Sequence, residues 1–196
     1  IEGNDITVDF NNSVLKGSNL KKKPDELFGT ALIIRNSERV IIKNLTAKGY
    51  KIALQATNAG SLTLENCNFS YNYRQQLQST PGKVNEADNI TYEENNMLQH
   101  GAAIYFNNCD LAIIKSCKVT GGQNALLMKD CDDALIYNND FSFNSGIGLA
   151  MYNCSRNKMV YNKLNFNIRG YSDGVYSTNA GGAGIVLHGQ SSDNLF

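Results

Sequence analysis

The chain has 196 residues, enough to bury a sizeable core, and its 18 basic residues balance 18 acidic ones. That balance excludes the strong basic field of a nucleic-acid binder, and no apolar run approaches the length of a membrane span. The five cysteines are an odd number with no C-x-x-C pair, which argues against a disulfide framework and against zinc.

Taken in order, residues 1–17 read as the tail of an earlier coil. Ile6, Val8 and Phe10 alternate, and a corner follows at Asn11 and Asn12. The first residue is Ile1 and no signal peptide is present, so a processed product or an excised piece is expected. Residues 18–29 form a polar loop carrying Lys21, Lys22, Lys23 and Pro24. Coil one runs from 30 to 50 and coil two from 51 to 72. Residues 73–101 break the pattern and read as one long loop, the kind of segment that often carries function. Coils three, four and five cover 102–123, 124–145 and 146–167. A loop at 168–182 follows, and a sixth coil starts at Ala183 and reaches its second strand by Phe196.

The repeat behind this division is visible in Cys109, Cys131 and Cys154, spaced 22 and 23 apart, with Ser37 and Ala59 in the same position upstream. A period in the twenties predicts a solenoid, and three short strands per period with Asn and Gly at the corners predict a parallel β-helix. The expectation is an all-β fold of about six coils, three strands each, in one domain over 1–196. A solenoid end offers unpaired backbone, so further coils beyond Phe196 or self-association through the open end are expected. The cysteines read as small buried residues at a corner. Cys67 and Cys117 fall on one register and would lie one coil apart, about 4.8 Å, close enough for a disulfide. A ladder of free thiols explains them equally well.

Counting from the Cys109 register, the column five residues earlier reads Leu32, Leu54, Ile104, Leu126, Leu149, Ile185. The column three earlier reads Ile34, Ala56, Phe106, Met128, Met151, Leu187. Both must face inward, as must Phe69, Val119, Phe141 and Leu164 in the third strand. Tyr71, on the register of Phe143 and Phe166, reads as half core. Asn139 and Asn162 continue the Cys67–Cys117 column as a buried amide stack serving turn backbone.

Runs such as Leu135-Ile136-Tyr137-Asn138-Asn139-Asp140-Phe141 resemble the right-handed parallel β-helix superfamily typified by pectate lyases. The likeness extends to the right-handed β-helix repeat proteins, which include bacterial periplasmic sugar-active and copper-maturation proteins. It covers nearly the whole chain through its repeat pattern. It implies an extracellular or periplasmic protein whose partner is a polysaccharide, acted on by β-elimination, C5-epimerisation or hydrolysis; fold alone chooses none of these. Resembling hydrolases carry Asp pairs before the first strand, where this chain has Gln123 and Asn124. Asp132 and Asp133 lie after the strand and read as turn caps. Met128 and Met151, which copper chemistry would use, fall on an inward column. No cofactor is expected; calcium, which some resembling lyases use, finds only Asp130 near the outer face.

The outward column two residues before the cysteine register reads Arg35, Thr57, Asn107, Lys129, Tyr152, His188, and the one four before it adds Gln55 and Tyr105. Lys129, Tyr152 and His188 should form a row roughly 10 Å long, the scale of two sugar rings. These side chains suit elimination or epimerisation. A base removes the proton beside a uronate carboxylate, a cation neutralises the carboxylate and developing enolate, and an acid protonates the leaving oxygen. Catalysis is therefore placed on Lys129, Tyr152 and His188. Substrate binding is placed on Arg35, Gln55, Tyr105 and Asn107, with Arg74, His100, Arg169, Tyr171 and Asp173 from the loops. Two rival readings stand beside it: a non-catalytic glycan-binding or surface-assembly module, and a glycoside hydrolase using Asp130 and Asp173.

Overall fold

A computed structural model describes residues 1–18, 22–78, 80, 83, 85, 88, 98–168 and 182–196. The backbone turns wherever a residue adopts the left-handed conformation. At the first corner these are Asn36, Asn58, Asn108, Asp130 and Asn153, with φ between 48° and 54°. Asn and Asp tolerate that region because their short polar side chains bond locally. Here they bond from coil to coil: Asn58 donates to Asn36 at 3.3 Å and Asn108 to Asn58 at 2.9 Å.

Between the corners the strands assemble into three parallel sheets, and the chain winds as a parallel β-helix. The first sheet stacks β1 (Gly3–Asn4), β4 (Thr30–Glu38), β7 (Ile52–Gly60), β9 (Ala102–Asn107), β11 (Leu126–Lys129), β13 (Ile147–Tyr152) and β15 (Ala183–His188). The second stacks β2 (Thr7–Asp9), β5 (Ile41–Lys43), β8 (Thr63–Glu65), β10 (Ile113–Lys115), β12 (Leu135–Tyr137) and β14 (Lys158–Val160). The third pairs β3 (Val14–Lys16) with β6 (Thr46–Lys48) and continues as single bridges through Asn68, Lys118, Asp140 and Lys163.

The pairing register is the one the repeat predicts. Leu126 sits beside Ile104 and Leu149, and Met128 beside Phe106 and Met151, all buried in one continuous core. Leu187 keeps its inward column but is 44% exposed, because β15 is an edge strand. Alternation fails at one position of the repeat: Ala53 and Leu54, Ala103 and Ile104, and Ala125 and Leu126 each enter the core as successive residues. Tyr71 departs from expectation as well. It stands on the Phe143 and Phe166 register, yet all three rings are exposed; Phe143 and Phe166 stack at 5.3 Å.

All five cysteines are buried and free, so Cys67 and Cys117 form no disulfide. Hydrogen bonds with Cys109 and Cys154, and then burial, push the Cys131 thiol up, which keeps it protonated.

The amide stack is real and has counterparts at the other corners. Asn139 accepts from Cys117 N at 2.8 Å and donates to Ile114 O at 2.9 Å, and Asn162 repeats the pattern one coil on. Asn157 serves the first corner. At the third corner, Asn144 accepts from Gly122 N and donates to Val119 O and Phe141 O, each at 3.1 Å. Asn144→Asp should therefore destabilise the protein by about 2–5 kcal/mol at neutral pH, since a buried carboxylate would face two carbonyls without donating. Burial raises the folded-state pKa of such a carboxyl above its unfolded value of about 3.9. The stability deficit should then be smallest below that pH and grow as pH rises. Melting temperatures across pH 3–8 check this; a deficit against wild type that does not change with pH would refute it.

The long insertions leave the solenoid between the third and first strands. Residues 18–29 include one 3₁₀ turn, Pro24–Glu26, whose Glu26 carboxylate accepts from Lys23 N at 3.1 Å. Arg74 N donates to Pro24 O at 3.2 Å, tying this loop to the next. In the 73–101 segment, the buried Asp88 carboxylate accepts twice from Gln78 N, at 3.0 and 2.9 Å. Among the described residues no helix is long and apolar enough to cross a membrane.

Candidate functional site

The outer row stands on the C-terminal ends of the first-sheet strands. Asn107, Lys129, Tyr152 and His188 are consecutive cross-strand partners, with Thr57 and Arg35 continuing the column upstream. The shared register forces this, with partners 22 or 23 residues apart within the regular coils and 50 or 36 apart across the insertions, since a solenoid places equivalent positions one strand apart. The rings of Tyr152 and His188 stack, with centroids 6.5 Å apart and planes inclined by 21°. Lys129 is half-buried, and its Nζ lies 3.9 Å from Asp130 Oδ2. Asp130 occupies a corner otherwise filled by asparagine, so a carboxylate stands at the rim of the row; it accepts from Asn153 at 3.1 Å. Asn153 in turn accepts from Gln190 N at 3.1 Å. That corner ends at Gly189, with φ +62°, where a Cβ would come within 2.2 Å of Asn153 Oδ1, so a side chain there would require Asn153 to shift.

The column four residues before the cysteine register is not the open polar surface expected. Tyr105, Leu127 and Ala150 are buried and form a second apolar cluster with Ala102 and Ile147, against which Leu98 and Val186 pack. Leu98 stands at the end of the 73–101 insertion, so the return of that insertion packs on the outside of the first sheet. Tyr105 is 8% exposed, and burial first of all raises its pKa, so it is a neutral wall residue rather than an exposed sugar contact. Gln55, two coils before Leu127, stays half-buried. The sequence held a signal for this wall: the column reads Tyr105, Leu127, Ala150, Val186, apolar on four successive strands.

The other expected binding residues are scattered. Arg35 is exposed and paired with Glu2, three coils or roughly 14 Å from Lys129. His100 is buried in the turn that precedes β9. Arg74 lies at the corner before the first strands, beside Pro24. Strands rise about 3.3 Å per residue, so the row at their far ends is roughly 15 Å away. Arg169, Tyr171 and Asp173 lie outside the described residues.

Asp132 and Asp133 behave as turn groups. Asp132 accepts from Ser155 N at 2.8 Å, and both carboxylates bond Arg156. The Arg156 guanidinium holds Asp133 below the usual carboxylate range. Among the described residues no three His, Cys, Asp or Glu side chains gather closely enough to hold a metal ion.

The site is thus a half-buried polar shelf with an apolar wall on one side and a carboxylate at its rim. It offers a cation, a phenol and an imidazole in line.

Among solved structures, the chain is similar to a candidate glycosyl hydrolase from Parabacteroides merdae, at 15% identity and a TM-score of 0.43, covering 86% of this chain and 75% of that one. It is also similar to the A-module of the mannuronan C-5 epimerase AlgE6 from Azotobacter vinelandii, at 11% identity and a TM-score of 0.47, covering 98% of this chain and 55% of that module. No curated protein sequence matches the chain. Residues 30–196 match the family model described as the right-handed beta helix region, and with its parallel three-sheet winding the chain belongs to the right-handed β-helix family.

Proposed function

We propose that this chain is a carbohydrate-active β-helix protein, working outside the cytoplasm, that cleaves a uronate-bearing polysaccharide by β-elimination on the shelf. One observation carries the reading: Lys129, Tyr152 and His188 are cross-strand neighbours on a single sheet face. In this reading the Lys129 ammonium neutralises the uronate carboxylate and the enolate that forms on it. His188 takes the C5 proton, the C4–O4 bond breaks as the C4=C5 double bond forms, and the Tyr152 hydroxyl protonates the departing O4.

The single-sided arrangement favours elimination over epimerisation. Epimerisation must return a proton to the opposite face of C5, whereas groups rising from one sheet face reach one side of a ring. The same argument selects the substrate's stereochemistry. D-mannuronate and D-glucuronate carry the C5 hydrogen and the C4 oxygen on one face; D-galacturonate and L-guluronate carry them on opposite faces. Polymers of the first pair should be cleaved ahead of the second.

The test is a panel of these four polymers read both for ultraviolet absorbance of the unsaturated end and for new reducing ends. Unsaturated product from the first pair supports the reading. Reducing ends without absorbance mean hydrolysis, and retention of a polymer without either signal means a binding module. The stacked, accessible Tyr152 and His188 rings favour binding as the second reading, because a sugar's apolar face packs on such surfaces.

A further inference from the structure

A cavity at the third corner of the early coils, far from the shelf, has a lining that calls for an anion. Its volume is about 390 Å³, and Lys16, Lys22, Lys48 and Arg74 line it together with Tyr71 and Ser18. That size falls among small-ligand sites, which occupy about 300–1,000 Å³. No acidic side chain lines it among the described residues, although the protein as a whole is neutral.

Two features show that these cations are not an ordinary solvated face. Lys16 and Lys48 are direct cross-strand partners in the third sheet. Like charges placed opposite each other across neighbouring strands destabilise the pair. The second sheet avoids that arrangement: Glu65 stands between Lys43 and Lys115, at 3.4 and 3.3 Å. None of Lys16, Lys22, Lys48 and Arg74 has an ion-pair partner among the described residues. Asp25, on the adjoining 3₁₀ turn, lines a neighbouring cavity, which Arg74 borders as well. The second feature is Ser18 Oγ, which is shielded from solvent and has no hydrogen-bond partner among the described residues.

The rest of the lining fits a sugar. Tyr71 is 68% exposed, and one edge of its ring lies close to Gly121, where a Cβ would stand 2.9 Å from Cδ1 and Cε1. Gly121, at φ +70°, therefore leaves the ring free to lie along the cavity. Lys22 is held with Nζ 4.4 Å from the Phe28 ring. The pyranose ring has an apolar face suited to an aromatic surface, and a carboxylate on it would reach the ammonium groups.

We infer that this corner is a second binding site, for a short acidic saccharide, whose carboxylate joins Lys16, Lys48 and Arg74 while a sugar face rests on Tyr71. The charges converge on one cavity rather than tracking along the surface, which favours a short saccharide over a nucleic-acid strand. The site is independent of the shelf.

The test measures binding of trigalacturonate to the whole chain by calorimetry, beside sodium sulfate, maltotriose and a short single-stranded oligonucleotide. Trigalacturonate should bind and raise the melting temperature. Lys48→Gln should weaken that binding at least tenfold and remove the thermal shift, while the unliganded variant melts no lower than wild type because a repulsion is relieved. Lys16→Gln should do the same, and Tyr71→Ala should weaken trigalacturonate but not sulfate. Equal affinity for sulfate or maltotriose, tighter binding of the oligonucleotide, or full affinity in both lysine variants would overturn the assignment.

Discussion

Leu126→Asp is expected to abolish cooperative folding. Leu126 is fully buried, with Ile104 and Leu149 as its partners on the adjacent strands. An aspartate there meets only apolar neighbours, and a buried carboxylate without a partner costs several kcal/mol. A domain's whole stability is about 5–15 kcal/mol. The position amplifies the loss, because each coil of a solenoid is held by its neighbours alone. A failure in β11 separates the coils before it from those after it. Leu126→Ala should cost about 2–5 kcal/mol through the cavity it leaves. Leu126→Met, which preserves volume, should cost less than about 1.5 kcal/mol. Thermal melts followed by circular dichroism rank the three; a Leu126→Asp protein that melts at the wild-type temperature would show that this column does not face inward.

Tyr152→Phe is expected to lower the rate of polymer cleavage roughly a hundredfold or more, with binding largely kept. The substitution deletes one hydroxyl and leaves the ring that stacks on His188. Stability should change by no more than about 1 kcal/mol, since the side chain is only half-buried and outside both apolar clusters. The loss should fall on kcat with KM little changed, as for a group that acts in the transition state. A binding module behaves differently: Tyr152→Phe binds as wild type, and Tyr152→Ala weakens binding because the ring is gone. If neither variant alters cleavage or binding, the shelf is not the site, and Arg74 at the third corner becomes the next residue to replace.

Both expectations start from columns, and columns were legible in the sequence. A spacing of 22 or 23 residues between Cys109, Cys131 and Cys154 fixes which residues become neighbours, because one turn of the solenoid brings a position back one strand away. The stacks of Leu126, Met128 and Phe106, the row of Lys129, Tyr152 and His188, and the amide ladder of Asn139 and Asn162 all follow from that count. They are like-on-like contacts, and a period is enough to specify them.

What the period does not contain is how segments outside it lie against the coils. Leu98 packs against the cluster that contains Tyr105 and Leu127, which adds to an apolar wall beside the row. Ala53, Ala103 and Ala125 turn inward beside Leu54, Ile104 and Leu126, so simple alternation assigns one of each pair to the wrong face. Tyr71 points out over a glycine instead of joining the core. At the cationic corner Arg74 bonds Pro24, and both line the cavity together with Lys16, Lys22 and Lys48. These features depend on the local path of the backbone and on contacts made by the insertions, which a period and simple alternation do not describe. The sequence by itself therefore determined the winding and its registers, whereas only the tertiary structure decided which faces remain open and where charges converge.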